Sequence, residues 1–350
     1  MKINKLYFKI PKFLIKYFPY LIKDNCKLMI FDRKKKKIYH KNINYLIKYF
    51  KPNDLLIRNN TKILPCKLIG YKNNSKISLF LLKNINKSNN IWETLISPAR
   101  KIRIGNEINF FYNKKLIVTS KIIDNTSSKG RIIKFLNINY NNFIKVLYNI
   151  GNIIVPNYFN FINSYKNYNY FQNIYAKKVG SLFLPTSGIN LSKNLFLYLK
   201  YKSVKILDIT YHFGISLYNI INNNNFNFFN KLNSDFLNLN YNNIKFINNA
   251  FKKNYKICAI DINTLIALEL CKKYIFNLIN FKGYINNLIN IPYNYNIVNN
   301  LLTYFHYPNT YYFHLLADYC GYNNIINIYN EAIKYNYSFF YFGDLLLVKL

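Results

Sequence analysis

The chain has 350 residues, 51% of them hydrophobic, and its 49 lysines and arginines against 13 aspartates and glutamates give a formal net charge of +36. This length and apolar content can bury one large core or two modest ones, and two domains are expected. The 5 cysteines are scattered and form no Cys-x-x-Cys pair, which excludes a disulfide framework and a zinc site and predicts a protein of the reducing cytoplasm.

The positive charge has two explanations. A surface this basic would bind the phosphates of a nucleic acid through counterion release. Lysine is, however, enriched together with Asn, Ile, Tyr and Phe, as a strongly A/T-biased coding sequence would produce. Charge alone therefore leaves nucleic-acid binding and compositional bias as alternatives.

Neither a membrane segment nor a signal peptide is predicted. Residues 284–317 carry no formal charge, but many Asn residues, Pro292 and Pro308 interrupt them, which is typical of a core rather than a membrane span. The N-terminus lacks an apolar segment followed by a small-residue cleavage site. We expect a cytoplasmic monomer without a membrane partner.

Short β-rich runs separated by polar turns follow Cys66. Six such runs at this spacing predict a small antiparallel barrel or sandwich. We assign residues 66–150 to an inserted β-barrel domain. The predicted strands are 67–71, 77–82, 91–96, 107–112, 116–123 and 131–136.

After Gly151 the pattern changes to alternating strands and helices. Residues 204–209 and 256–260 are predicted as buried strands, and 192–201, 242–253 and 264–276 as helices. Ser192 is a candidate cap for the first of these helices. The alternation predicts an α/β fold with a mixed sheet, formed by residues 1–65 and 151–350 and carrying the active site.

Two polar segments are candidate ligand loops. Residues 185–188, Pro-Thr-Ser-Gly, lie between an apolar run and the Ser192 helix, where backbone N–H groups suit a carboxylate or phosphate; an ordinary turn is the alternative. His212 follows a predicted strand, where ligands gather in open α/β sheets. His212 and His306 are each either proton-transfer groups or structural histidines.

Several motifs of known chemistry do not occur. The sequence contains neither Gly-x-Gly-x-x-Gly nor a P-loop, no nucleophile elbow and no metal-ligand spacing. The residues by themselves thus predict a cytoplasmic α/β protein with a barrel and do not name a reaction.

Several segments, taken in order, carry a resemblance. Residues 59–70 read N-N-T-K-I-L-P-C-K-L-I-G, 171–176 read F-Q-N-I-Y-A, 185–188 read P-T-S-G, 303–310 read T-Y-F-H-Y-P-N-T and 337–344 read Y-S-F-F-Y-F-G-D. Together they resemble the S-adenosylmethionine:tRNA ribosyltransferase-isomerase family of queuosine biosynthesis, nearly from end to end. The corresponding family motifs are N-N/D-T-R/K-V-I/L-P-A-R-L-x-G, Y-Q-T-V-Y-A, P-T-A-G-L-H-F, T-N-F-H-L-P-x-S and Y-R-F-x-S-Y-G-D.

The resemblance implies an enzyme that joins the ribosyl unit of S-adenosylmethionine to 7-aminomethyl-7-deazaguanine at the wobble position of tRNA. Adenine and methionine leave, and epoxyqueuosine is formed. The implied chemistry begins with proton abstraction next to the sulfonium, which needs a general base, a donor to the leaving adenine and a polar cradle. No metal or bound cofactor is expected, because S-adenosylmethionine is consumed as a substrate.

The resemblance also implies roles for residues of this chain. His212, His306 and Asp235 are the expected catalytic residues. The expected substrate-binding residues are Asn59, Thr61, Lys62, Pro185, Thr186, Ser187, Gly188, Gly214, Thr303, Phe305, Thr310, Gly343 and Asp344.

The chain departs from the family at several motif positions. Residues 189–191 are Ile-Asn-Leu where the family has L-H-F, and residues 261–266 are Asp-Ile-Asn-Thr-Leu-Ile where it has G-T-T-S-V-R. Such losses leave a second hypothesis, a catalytically weak or inactive relict that folds and binds tRNA.

A third hypothesis is an RNA-binding barrel protein whose α/β part is structural. It predicts aromatic side chains that stack on bases beside lysines on one barrel face, and residues 110–115 allow such an arrangement.

Overall fold

The computed structural model describes residues 9–126, 130–154, 168–183, 187–213, 234–286, 289–308 and 310–350. The helices, besides short 3-10 turns, are α1 (Tyr45–Tyr49), α2 (Tyr140–Ile150), α3 (Lys193–Tyr201), α4 (Tyr241–Lys252), α5 (Ile262–Leu270), α6 (Lys272–Phe276), α7 (Tyr311–Cys320) and α8 (Tyr322–Lys334). The strands are β1 (Lys27–Asp32), β2 (Lys37–Asn42), β3 (Leu55–Asn59), β4 (Thr61–Ile63), β5 (Lys67–Lys72), β6 (Ser75–Asn86), β7 (Ile91–Ser97), β8 (Glu107–Tyr112), β9 (Lys115–Asn125), β10 (Arg131–Phe135), β11 (Gly151–Asn152), β12 (Lys178–Ser181), β13 (Lys205–His212), β14 (Ser234–Leu239), β15 (Ile257–Ile260), β16 (Phe281–Asn286), β17 (Asn300–Tyr304) and β18 (Leu345–Lys349).

A mixed nine-stranded sheet forms the α/β part, in the order β16-β14-β13-β3-β15-β17-β18-β1-β2. Strands β13, β3, β15 and β17 are neighbours and run parallel. The flanking strands β14 and β18 run antiparallel to β13 and β17. The predicted mixed-sheet α/β fold is confirmed.

The central strands are apolar on both faces, as expected where helices cover a sheet from both sides. In β18, Leu345 and Leu347 pack towards α1 and α3, whereas Leu346 and Val348 pack into the larger core that contains α5, α7 and α8. This double burial explains why the strands read as continuous hydrophobic runs rather than as alternating ones.

The inserted segment forms a closed antiparallel barrel. Its six strands follow the order β5-β6-β7-β10-β9-β8, and a β5–β8 pairing closes the circle. Each contains one of the predicted runs except β10, which ends one residue earlier, at Phe135. Inside, Gly70 lies so close to Ile108 and Phe110 that a Cβ would stand 2.6 and 2.8 Å from them. The barrel is confirmed; the domain boundaries at 66 and 150 stay a prediction.

The predicted strands and helices of the α/β part are present, with one change. The Ser192 hydroxyl caps α3 by accepting from the Leu195 N–H, as predicted. The helix predicted for 264–276 begins two residues earlier and is interrupted at Cys271, between α5 and α6. No helix of the described residues has both the length and the apolar character needed to cross a membrane.

A buried carboxylate fixes the approach to β17. Glu269 of α5 is 1% exposed, and it accepts backbone N–H groups of Asn296, Ile297 and Val298 at 3.0, 2.9 and 2.9 Å. Burial raises the pKa of Glu269, and these donors oppose the rise. The three bonds tie the segment before β17 to the helix that covers the sheet.

We expect Glu269→Gln to lower the free energy of unfolding by about 1–3 kcal/mol, because an amide group then faces backbone donors in a buried position. Urea unfolding followed by circular dichroism measures the change. Glu331→Gln, at a side chain that is 29% exposed, is the control and should change stability by less than about 0.5 kcal/mol. Equal effects of the two substitutions would contradict an anchoring role of Glu269.

Candidate active site

One edge of the sheet collects segments that are distant in sequence. The parallel strands β13, β3, β15 and β17 end there, and the chain continues into Thr61, Asp261 and His306. Strand β18 begins at the same edge, because it is antiparallel to β17 and pairs Leu345 with Tyr304. Strand β14 also begins there, opposite the end of β13. Ligands gather at such carboxyl ends in open α/β sheets.

His212 lies in a close-fitting setting at this edge. Its Nδ1 is 2.6 Å from the Thr61 hydroxyl, and its ring stacks on Phe236 with centroids 5.6 Å apart. Gly180 packs against the ring so tightly that a Cβ there would lie 2.7 Å from it. Burial, followed by the charge of Lys87, lowers the pKa of His212 to about 4. The imidazole is therefore neutral at neutral pH.

Asn59 joins the ends of β3 and β13. Its Nδ2 donates to the Tyr211 carbonyl at 2.8 Å, and its Oδ1 accepts the Tyr211 and Thr61 N–H groups at 3.0 and 3.1 Å. The side chain is 1% exposed. These contacts position Thr61 and His212, and a role of Asn59 in substrate binding stays a prediction.

His306 is the more enclosed histidine. Its Nε2 is 2.9 Å from the Thr303 hydroxyl, and its Nδ1 has no hydrogen-bond partner among the described residues. The ring lies against Tyr304 and Tyr312, with centroids 4.1 and 5.7 Å away. Burial lowers the pKa of His306 to about 3. The His306 imidazole is therefore neutral at neutral pH. Thr303 positions it through Nε2, and Nδ1 can accept a further hydrogen bond or proton.

Asp235 and Phe236 are consecutive residues of β14, so their side chains lie on opposite faces of the strand. It is 1% exposed and accepts the Tyr211 hydroxyl at 3.0 Å. Tyr312 of α7 lies near both Asp235 and Asp261: burial first, and then the charges of these two carboxylates, raise its pKa well above the ordinary value. Tyr312 also contacts His306, so Asp235, Asp261 and His306 all lie near this one ring.

Ser187 contacts a carboxylate that the sequence analysis did not select. Its N–H and hydroxyl donate to Asp261 Oδ2 at 3.2 and 3.3 Å. Asp261 caps α5, and its Oδ1 accepts the N–H and the side-chain amide of Asn263 at 3.0 and 3.1 Å. Burial raises the pKa of Asp261 against the opposing effect of these donors. The sequence does contain a sign that Asp261 is special, because this aspartate stands where the family motif has glycine.

Asn190 connects the Ser187 turn to the C-terminal motif. Its Nδ2 donates to the Gly343 carbonyl at 2.6 Å, while its buried Oδ1 has no partner among the described residues. Gly188 contacts Tyr175 so closely that a Cβ would overlap the phenol oxygen. Gly343 likewise has no room for a Cβ beside the Ser338 carbonyl. Both glycines are therefore required by packing, whatever they contribute to a substrate.

Asp344 organises the scaffold around the edge. Its carboxylate accepts the Tyr20 hydroxyl and the N–H groups of Lys27 and Ser338, each at 2.7 Å, and the residue is fully buried. Burial raises the pKa of Asp344, opposed by these donors. The contacts place Asp344 between β1 and β18, and its assignment to substrate binding stays a prediction.

The remaining predicted substrate-binding residues are Phe305, Thr310, Lys62, Pro185, Thr186 and Gly214. Phe305 is fully buried among aromatic rings, and Thr310 caps α7 by accepting the Phe313 N–H at 3.2 Å. Lys62 places its ammonium 5.1 Å from the Tyr148 ring centroid, beside the barrel. Their substrate roles stay predictions. Pro185, Thr186 and Gly214 lie outside the described residues.

The edge thus presents two groups. One contains His212 with Thr61 and Phe236, and the other contains His306 with Tyr312. Both carboxylates lie near Tyr312, and Asp235 also accepts the hydroxyl of Tyr211, the neighbour of His212. Within the described ranges, no hydrogen bond or ring contact joins the two histidines. Nor do three His, Cys, Asp or Glu side chains in this part of the chain form a group that could hold a metal ion. Chemically, the edge offers neutral imidazoles, buried carboxylates and tyrosine hydroxyls.

Comparison with known proteins agrees with the motifs. The S-adenosylmethionine:tRNA ribosyltransferase-isomerase of Flavobacterium psychrophilum is 31% identical over 351 residues, covering 99% of this chain and 100% of the relative. The enzyme of the same name from Phocaeicola vulgatus is 31% identical and covers 99% of both chains. The crystal structure of S-adenosylmethionine tRNA ribosyltransferase from Thermotoga maritima shares the fold, with a TM-score of 0.54, 21% identity and coverage of 97% and 98%.

The family model described as "Queuosine biosynthesis protein" matches residues 3–348. This match and the full-length relatives confirm the resemblance. The chain therefore belongs to the queuosine biosynthesis protein family.

Proposed function

We propose that the protein transfers and isomerises the ribosyl unit of S-adenosylmethionine onto 7-aminomethyl-7-deazaguanine at the tRNA wobble position, releasing adenine and methionine. The observation that carries the proposal is the match of a whole chain to a single enzyme family. The convergence of the family motifs at one sheet edge supports it, because dispersed motifs would offer no common site. We further propose a cytoplasmic monomer that uses no metal or bound cofactor.

His306 is the best-supported general base. When its Nε2 carries the proton and donates to Thr303, its Nδ1 presents a lone pair. A base of this kind can take a proton from the carbon next to the sulfonium, whose positive charge acidifies that carbon. Ribose opening, loss of adenine and attack by the aminomethyl nitrogen follow.

His212 is the second proton-handling group. Its Nδ1 is occupied by Thr61, and its ring is fixed between Phe236 and Gly180. A fixed neutral imidazole can donate a hydrogen bond to the leaving adenine without reorienting. Because no hydrogen bond or ring contact among the described residues joins the two histidines, each can serve a different part of the substrate, one taking a proton and the other supplying a hydrogen bond.

The two alternative hypotheses receive less support. The relict hypothesis gains nothing from the comparisons, which match the chain along its full length to relatives named as enzymes. The RNA-binding barrel hypothesis requires aromatic rings on the barrel exterior. Phe110 is fully buried in the barrel and cannot stack on a base, whereas Phe111, which is 42% exposed, can. The basic surface still suits tRNA, and we expect tRNA affinity to fall steeply with salt.

We expect His306→Gln to reduce product formation by about 10²–10⁴-fold, because removing a general base has effects of that size. The assay incubates the protein with S-adenosylmethionine and tRNA bearing 7-aminomethyl-7-deazaguanine, and then detects epoxyqueuosine nucleoside by mass spectrometry. His212→Ala tests the second histidine in the same assay.

His40→Gln is the matched control. His40 lies on β2, where it pairs with Tyr337 and Glu331, and it is outside both groups. Its substitution should leave the rate within about twofold. A folded His306→Gln variant with the wild-type rate would eliminate His306 as the base. No product from folded wild-type protein would refute the proposed activity.

The neutral state of His306 also predicts a pH dependence of stability. Burial lowers the pKa of His306 from 6.5 to about 3, so the unfolded chain binds this proton more readily than the folded one. This contribution to stability is present above pH 6.5 and is lost as the pH falls towards 3. The loss between pH 7 and pH 5 is about 2 kcal/mol.

The measurement compares urea unfolding of wild type and His306→Gln at pH 7 and pH 5. The wild type should exceed the variant by about 2 kcal/mol less at pH 5 than at pH 7, since the variant lacks the titrating group. A difference that does not change with pH would contradict a neutral, buried imidazole.

A further inference from the structure

Asp261 holds an unusual conformation for a residue with a side chain. Its φ of 83° and ψ of 142° lie in a region that glycine adopts far more readily, and the resembling family motif begins with glycine at this position. The conformation directs the carboxylate onto four donors, two from Ser187 and two from Asn263. All four are donors, so the arrangement fits the ionised, acceptor-only carboxylate.

The Asp261 carboxylate binds at the turn of residues 185–188, which the sequence predicts as a site for a carboxylate or phosphate of the substrate. The Ser187 N–H and the first turn of α5 are the backbone donors that suit a carboxylate or phosphate. Here the protein's own Asp261 accepts them. A negative charge of the protein itself therefore stands at donors that an anion from outside could otherwise accept.

Aromatic rings lie at the same edge of the sheet as this charge: Tyr304 and Tyr312 lie against His306, with centroids 4.1 and 5.7 Å away. Burial, and then the charge of Asp261, raises the pKa of both Tyr341 and Tyr312, with Asp235 contributing at Tyr312. Tyr304 stacks on Tyr341 with centroids 5.8 Å apart. Tyrosine rings beside buried carboxylates form a surface that attracts cations through both the charge and the π faces.

Two buried polar atoms at this edge lack a hydrogen-bond partner. His306 Nδ1 and Asn190 Oδ1 have no partner among the described residues, although the two side chains are only 1% and 2% exposed. His306 lies against Tyr304 and Tyr312, and Asn190 belongs to the turn of Ser187. Unpartnered buried polar atoms are costly, and the polarised C–H groups next to a sulfonium are weak donors that reduce this cost.

We propose that Asp261, together with Tyr312 and Tyr341, forms a cation subsite that binds the positively charged sulfonium end of S-adenosylmethionine. The inference rests on the proposed function and adds the orientation of the substrate. The sulfonium faces Asp261, beside His306, whereas the carboxylate of the methionyl group does not bind at Ser187.

The test compares S-adenosylmethionine with S-adenosylhomocysteine, which differs by a methyl group and the positive charge. Isothermal titration calorimetry gives both affinities for wild type, Asp261→Asn and Asp261→Gly. Both variants remove the charge, and the glycine variant also suits the positive φ. We expect wild type to prefer the sulfonium compound by about tenfold or more, and both variants to lose most of that preference.

Affinity for S-adenosylhomocysteine should stay within about twofold, since that compound carries no charge at sulfur. Asp124→Asn, an exposed substitution on barrel strand β9, is the control and should keep the wild-type preference.

Two results would overturn the inference while the proposed function stands. One is an unchanged preference in both variants. The other is an equal gain in affinity for both compounds in Asp261→Gly, which would mean that Asp261 only fills an anion site for their common carboxylate. Wild-type protein that binds neither compound would instead refute the proposed function together with the subsite.

Discussion

The common direction of four neighbouring strands is the constraint on which the site depends. Because β13, β3, β15 and β17 are parallel, their carboxyl ends lie at one edge. The antiparallel strands β14 and β18 begin at that edge, and so bring Asp235 and Asp344 to it. Helices on both faces make the parallel arrangement stable, since each strand is buried on two sides. Motifs separated by hundreds of residues thus meet without any local signal between them.

The sequence predicted those parts of the fold that local patterns determine. The six barrel strands are bounded by turns, and Ser192 caps its helix through its own hydroxyl. The position of β18 between β17 and β1 was not predicted, because strand order is a property of pairings between distant residues. The interruption at Cys271 was missed for a related reason. The run from 264 to 276 contains no Gly, Pro or Asn at the break, so its pattern lacks the residues that usually mark a helix end.

The site was predicted as a set of residues but not as an arrangement. The motifs identified His212 and His306, yet only the fold shows that His212 lies with Thr61 and Phe236 whereas His306 lies with Thr303 and Tyr312. Asn59 was selected as a polar motif residue, and its three contacts are all internal to the protein. Polar residue type alone cannot distinguish a side chain that positions the site from one that contacts a substrate. Asp261 was overlooked because its importance comes from a backbone conformation.

Two exchanged motif residues are held in the edge by contacts of their own. Asn190 stands where the family has histidine, and it joins the Ser187 turn to Gly343. Asp261 stands at a glycine position and has a positive φ, which costs a residue with a side chain about 1–3 kcal/mol. Such strain persists only where surrounding contacts determine it, and four hydrogen bonds do so here. The donors at this edge face the protein's own negative charge, and this charge favours a substrate that arrives with a positive centre.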